Sequence, residues 1–315
     1  MKAIGGYFSL ELPEGESYYP NALALNTGRS CIEYILRCRH YRKLYIPYYT
    51  CDSVLEPLAK LGVAYEFYHI NNELEPFETP HLLHDEAFVY TNYFGLKHAY
   101  SSHLALQLGK QLIIDNTQAF FAKPFEGVDS FNSCRKFFGV PDGAYLFSDA
   151  HADFEIEKEV SYDRASFLLK RIDLGAEAGY ADFLEKEHKL IGQPLKRMSN
   201  LTERIMRSID YDAVASKRRD NYQFLEAHLR PLNLLHLHIS EDVVPMVYPF
   251  LTNDSSLKQR LIQEKVFVPT FWPNVLQWCC SDDFEYKLAD NTLFLPIDQR
   301  YGLDDMKRIV DLIIQ

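Results

Sequence analysis

The sequence has no apolar run of the roughly 20 residues needed to cross a bilayer, no low-complexity tract and no CxxC pair. Each absence removes a class of protein. The opening stretch, MKAIGGYFSLELPEGE, turns polar before a secretory apolar region can form, so no signal peptide is expected. Positive charge is scarce: 33 Lys and Arg stand against 44 Asp and Glu, a net −11. That balance speaks against a nucleic-acid partner or an anionic membrane surface, and an anionic ligand would need a local site. The six cysteines, Cys31, Cys38, Cys51, Cys134, Cys279 and Cys280, are scattered and read as reduced thiols of a cytoplasmic protein. His236 and His238 in LLHLHIS alternate as on one strand face, but no third ligand accompanies them, so no metal is expected.

What is present is length and periodicity. A chain of 315 residues can bury a large core and suggests a large unit with a smaller one. LYIP (44–47), AYEFYHI (64–70), AFVYTNYF (87–94), QLIID (111–115) and GAYLF (143–147) read as strands. CDSVLEPLAKLG reads as a helix stopped by Gly62, and residues 100–109 as another. Strand and helix in alternation predict an α/β fold with a large, mostly parallel sheet flanked by helices over residues 1–205. From about 198 the pattern changes to a long helical stretch with an apolar stripe at Leu201, Ile205 and Ile209. The short strands MVYPF, VFVPT and TLFLPI and helices at about 255–264 and 302–314 then predict a smaller α+β domain over 206–315. Residues 149–196 are charged and mixed and give no clear pattern.

Parallel sheets bind ligands at the carboxyl ends of their strands, and three loops qualify. QLIID runs into NTQ, so Asp115 ends a buried strand with Gln118 three residues on. Such an Asp is commonly a turn cap, or else a carboxylate held for a buried cation. In LNTGRSCIEYIL, Gly28, Arg29 and Ser30 open an amphipathic helix, either as an ordinary start or as an anion site. In FNSCRKFFGVPDG, Lys136 follows Ser133 and precedes Phe137, Phe138 and Asp142-Gly143; most lysines are surface residues. Taken together, a strand-end Asp, a phosphate-sized helix N-terminus and a lysine are the parts that hold pyridoxal phosphate. Lys136 would form the Schiff base, Asp115 would partner the pyridinium, and backbone N–H groups would hold the phosphate.

In this order the motifs resemble the DegT/DnrJ/EryC1/StrS sugar aminotransferases, fold type I enzymes that use pyridoxal phosphate. LNTGRSCIEYIL, LYIPYYTCDSVLEPLAKLGVAYEFYHIN, LIIDNTQAF, FNSCRKFFGVPDGAYL, KRMSNLTERIM and the C-terminal VFVPTFWP and LFLPIDQRYGLDDMKRIV carry the resemblance over nearly the whole chain. It implies an aminotransferase that moves an amino group from an amino acid, glutamate by analogy, to a keto-sugar nucleotide in surface polysaccharide or amino-sugar biosynthesis. It implies a homodimer with composite sites, Gln118 near the ring's polar edge and Arg197 reaching a neighbouring site. Burial of Lys136 among Phe137, Phe138 and Arg135 is expected to favour its neutral form. The sequence departs from the family pattern at Cys51, where an aromatic residue usually stacks on the ring, and at Leu195, where an Asn usually stands. Ser133 lies three residues before the lysine, and Ser130 six, where the family serine lies five before. Relatives that are dehydratases carry His in place of the lysine, so Lys136 argues against that branch. The alternative is a degenerate member with a regulatory or binding role and no transamination.

Overall fold

The computed structural model describes residues 4–237, 239–240 and 242–315; His238, paired above with His236, lies outside them. Among these residues, strands β1 (Leu23–Leu25), β2 (Lys43–Pro47), β3 (Ala64–Tyr68), β4 (Glu86–Thr91), β5 (Leu112–Asn116), β6 (Asp129–Asn132) and β7 (Ala144–Phe147) form one sheet. Its order is β1-β7-β6-β5-β4-β2-β3. The five strands β2 to β6 run parallel, and β7 is antiparallel to both β6 and β1. The expected mostly parallel α/β sheet is present, enlarged by β1, too short to read from sequence, and β6, short and largely polar.

The centre of the sheet is buried on both faces, as the continuous apolar runs require. Ala87, Val89 and Ile113 pack with helix α1 (Gly28–Arg39) and helix α2 (Leu55–Leu61). Phe88, Tyr90, Leu112 and Ile114 alternate to the other face, with helix α3 (His98–Leu108) and the C-terminal part. Helix α2 ends where Gly62 takes a left-handed conformation and its N–H caps the Ala59 and Leu58 carbonyls.

The segment 149–196 forms helices α4 (Ser166–Leu174) and α5 (Tyr180–Lys189). The helical stretch beyond it is not continuous. It divides into α6 (Asn200–Met206) and α7 (Tyr211–Leu229). The Ser208 hydroxyl donates to the Ile205 carbonyl, and the Asp210 side chain caps the Ala213 amide, so local capping overrides the apolar stripe. The C-terminal part holds α8 (Leu257–Gln263), α9 (Val275–Trp278), α10 (Phe284–Asn291), α11 (Leu303–Ile314) and an antiparallel pair, β8 (Val247–Leu251) with β9 (Thr292–Pro296). VFVPT is not a strand. Val266 and Val268 are buried and Phe267 is exposed, so the alternation holds, but no ladder forms. Proline at 269 could not donate to one.

Candidate active site

Parallel pairing sets the carboxyl ends of β2, β4, β5 and β6 along one edge. Because β1 is separated from β6 by a single antiparallel strand, its carboxyl end and the α1 N-terminus lie on that edge as well. The three loops singled out in the sequence are thereby brought together. A Cβ added to Gly28 would sit 3.3 Å from Thr117 Cγ2 and 3.5 Å from the Phe131 ring. The α1 N-terminus therefore packs directly against the loop that follows Asp115.

Asp115 is buried, and its Oδ1 accepts the Thr117 amide at 2.8 Å. This is the turn-capping role, and it uses one oxygen. Burial pushes the carboxyl above its ordinary range; hydrogen bonds from Thr117 and the charge of Lys136 act the other way. Gln118 is also buried. Its Oε1 accepts the Phe94 amide at 3.0 Å, while its Nε2, a buried donor, has no partner. A buried unpaired amide donor is costly unless something accepts its hydrogen bond.

Lys136 ends a 3-10 turn that begins at Cys134; Ser133, which is buried, precedes that turn without a side-chain cap to it. The expected burial among Phe137 and Phe138 does not occur. Successive residues leave a tight turn in different directions, so both phenylalanines go into the core and Lys136 is exposed. Its ammonium instead lies 5.5 Å from the Phe271 ring, contributed by the C-terminal part. The turn that follows is fixed from below. Asp142, fully buried, accepts the Ser199 amide at 2.8 Å, the Ser199 hydroxyl at 2.7 Å and the Thr202 hydroxyl. Gly143 has φ 112°, and a Cβ there would meet Thr202 Cγ2 at 2.9 Å, so only glycine fits.

Other residues expected at the site are otherwise engaged. The Ser30 hydroxyl donates to Asn26 Oδ1 at 2.6 Å and lies 3.0 Å from the Thr27 hydroxyl, while Thr27 caps the Ser30 amide. Arg29 turns to Glu56 at 2.8 Å. What the α1 N-terminus offers an anion is therefore its first amides, those of Gly28 and Arg29, more than these two side chains. Cys51 is half-buried, with the Ser53 hydroxyl 3.1 Å from its sulfur. Neither neighbouring tyrosine is free: Tyr48 stacks on Phe67 at 4.6 Å, and Tyr49, fully buried, meets Trp272 edge-on at 4.8 Å. The Arg197 backbone bridges to Leu25 and Lys158, and its side chain is exposed; Leu195 packs on the α1 face.

Two contributions escaped the sequence reading. Phe271 is one, carried by a segment remote in the chain. The other is a charged cluster on α5, where Glu187 Oε1 lies 2.7 Å from Arg135 and 2.5 Å from Lys186, whose ammonium sits between the Phe167 and Phe183 rings. The segment 149–196 gave no clear pattern in the sequence, so neither helix nor cluster was expected there.

Comparison with solved structures identifies this architecture. A DegT DnrJ EryC1 StrS aminotransferase from Brucella abortus superposes with a TM-score of 0.61 at 13% identity, over 93% of this chain and 85% of that one. The sugar aminotransferase CalS13 from Micromonospora echinospora gives 0.63 at 12%, over 93% and 87%. The chain has the sugar-aminotransferase fold. An E. coli GDP-4-keto-6-deoxy-D-mannose-3-dehydratase with bound hydrated PLP shares this fold too, at 0.64 and 14%, over 94% and 87%. Neither a family model nor a curated protein sequence matches the chain. Among the described residues, no helix of this sugar-aminotransferase fold is long and apolar enough to cross a membrane, and no three His, Cys, Asp or Glu side chains gather as a metal site would need.

Proposed function

We propose that the protein binds pyridoxal 5'-phosphate through Lys136 and transfers an amino group from an amino acid, glutamate by family likeness, to a keto-sugar nucleotide. The observation that carries this reading is the convergence of Lys136, the buried Asp115 carboxyl and the unpaired Gln118 Nε2 beside the α1 N-terminus. These residues fit the group. Asp115 is a buried carboxyl with one oxygen uncommitted to the Thr117 amide, suited to a pyridinium. Gln118 supplies a donor for the polar edge of the ring. Gly28 and Arg29 offer amides to the phosphate.

When bound, the cofactor supplies an electron sink for the carbanion left when the donor loses its Cα proton. Lys136 would hold the cofactor and, with its amine free, would move that proton between the donor Cα and the cofactor. Asp115 keeps the proton on the pyridine nitrogen. Ser133, buried just before the Lys136 turn with no side-chain cap to it, would help to hold the cofactor, and Cys51 would lie on the rim where a ring would be covered. Arg197 of a second copy completes the phosphate clamp in a homodimer. The cofactor-carrying part would be 1–205 and the smaller part 206–315, a boundary that falls at the end of α6. Six free thiols favour the cytoplasm.

A second reading, a binding or regulatory protein without transamination, is favoured by Arg29 and Ser30 being engaged elsewhere. One experiment separates the two. The protein is incubated with pyridoxal phosphate, reduced with borohydride and mapped by peptide mass spectrometry, then exposed unreduced to amino donors. A pyridoxyl group on Lys136, absent in Lys136→Ala, with a visible band lost on adding glutamate, is the expected result. A label on another lysine would overturn the assignment. Label on Lys136 with no donor response would favour the second reading.

A further inference from the structure

Arg218, on α7, is 1% exposed and makes no ion pair among the described residues. A guanidinium taken out of water without a carboxylate partner carries a large desolvation cost, and an apolar side chain of similar volume commonly serves stability better. What Arg218 has instead are neutral acceptors from three separate segments. Its Nη1 donates to the Met246 carbonyl at 2.9 Å and the Pro245 carbonyl at 3.3 Å, its Nε to Gln299 Oε1 at 3.1 Å, and its Nη2 to the Phe137 carbonyl at 3.4 Å. The guanidinium also lies 4.5 Å from the centre of the Phe137 ring. Gln299 completes the arrangement by donating its Nε2 to the same Phe137 carbonyl at 2.8 Å.

Both ends of this network lead to the candidate site. Phe137 directly follows Lys136. At the other end, the Met246 amide donates to the Phe94 carbonyl at 2.8 Å, and the Phe94 amide donates to Gln118 Oε1 at 3.0 Å. That last bond turns the unpaired Gln118 Nε2 toward whatever it serves. We propose that Arg218 and Gln299 are positioning residues that hold the Lys136 turn in fixed relation to Gln118 through the Phe137 carbonyl and the Met246–Phe94 backbone. For its meaning this rests on the pyridoxal phosphate reading, but the coupling is a property of the chain without cofactor.

The test is therefore made without it. Lys136 reactivity is measured by competitive acetylation with acetic anhydride across a range of pH, read by peptide mass spectrometry. The proteins are wild type, Arg218→Met, Arg218→Lys and Gln299→Leu, with Lys258 and Lys307 as internal references. Gln299→Leu and Arg218→Met should change the Lys136 labelling rate by roughly two- to thirtyfold, the size ordinarily reached by coupling of this kind. Arg218→Lys, which keeps charge without the fork, should fall between. The references should not move. Unchanged Lys136 labelling in Gln299→Leu, together with a lowered denaturation midpoint, would make the network purely structural and overturn the proposal. Should Arg218→Met fail to fold, Gln299→Leu decides alone. Borohydride trapping on the wild type then judges the cofactor reading separately.

Discussion

At Asp115 two opposing effects meet on one side chain. Burial raises its carboxyl, and the Thr117 bonds and the Lys136 charge offset this only in part. A carboxyl raised in this way holds its proton more tightly in the folded state than in the unfolded one. Its contribution to stability is therefore best below its unfolded range and is lost as pH rises through the folded value. Asp115→Asn should remove that loss. In the cofactor-free protein the variant should be as stable as wild type at neutral pH or more so, measured by urea denaturation above and below the ordinary carboxylate range. With pyridoxal phosphate the order should reverse, because an amide cannot pair with a pyridinium, and binding should weaken. A variant less stable without cofactor would mean that the Thr117 cap is the carboxylate's whole purpose. The place of Asp115 at the end of a buried strand was readable because strand and turn signals adjoin in LIIDNTQ. The placement of Lys136 beside Phe271 was not, since the two are brought together only by packing between distant segments.

Among the elements, α5 shows how a helix invisible in the sequence can bear on the site. Its Lys186 ammonium is lowered to about 8, chiefly by burial and then by Arg135, with Glu187 opposing. A lysine lowered on folding costs stability while it is charged, so stability should rise as pH climbs from about 8 toward the ordinary lysine value. Lys186→Met would fill the space between Phe167 and Phe183 and leave the Arg135–Glu187 pair intact. Its thermal midpoint should match or exceed that of wild type at neutral pH, and the rise above pH 8 should flatten. A clear drop would show instead that the Lys186 charge is needed beside Glu187. Glu187→Gln should cost only about 1 kcal/mol, because Glu187 is 39% exposed and water screens it. The break between α6 and α7 belongs to the same scale. The apolar stripe through Ile205 and Ile209 predicts continuity, yet Ser208 and Asp210 offer the backbone other partners.

For the whole molecule, the notable surface feature is uncovered apolar side chains. Ile4, Tyr7 and Phe8 are more than nine-tenths exposed, and Ile172 on α4 is 81% exposed. The homodimer reading would cover some of this surface and give the exposed Arg197 a neighbouring site. Sedimentation equilibrium should give a dimer, and the thermal midpoint should rise with protein concentration, as subunit association requires. A stable monomer that still retains pyridoxal phosphate tightly would rule out a composite site.

By itself the sequence determined the class of fold and where along the chain its candidate site residues fall. Period-two runs bounded by turn residues specify strands, helical spacing specifies the crossovers, and parallel order brings strand ends to one edge. Asp115, Gln118, Gly28 and Lys136 could be named from those rules alone. Tertiary structure decided which side chains are free to act. Ser30 and Arg29 are engaged by Asn26 and Glu56, Lys136 is exposed to face Phe271, and a buried arginine from α7 reaches the Phe137 carbonyl. Apart from the Ser30–Asn26 bond, which is local, these outcomes depend on contacts between residues 27 to 135 positions apart. Local propensity carries no information about such contacts, because their energy arises only when the packed core excludes water and fixes their distances.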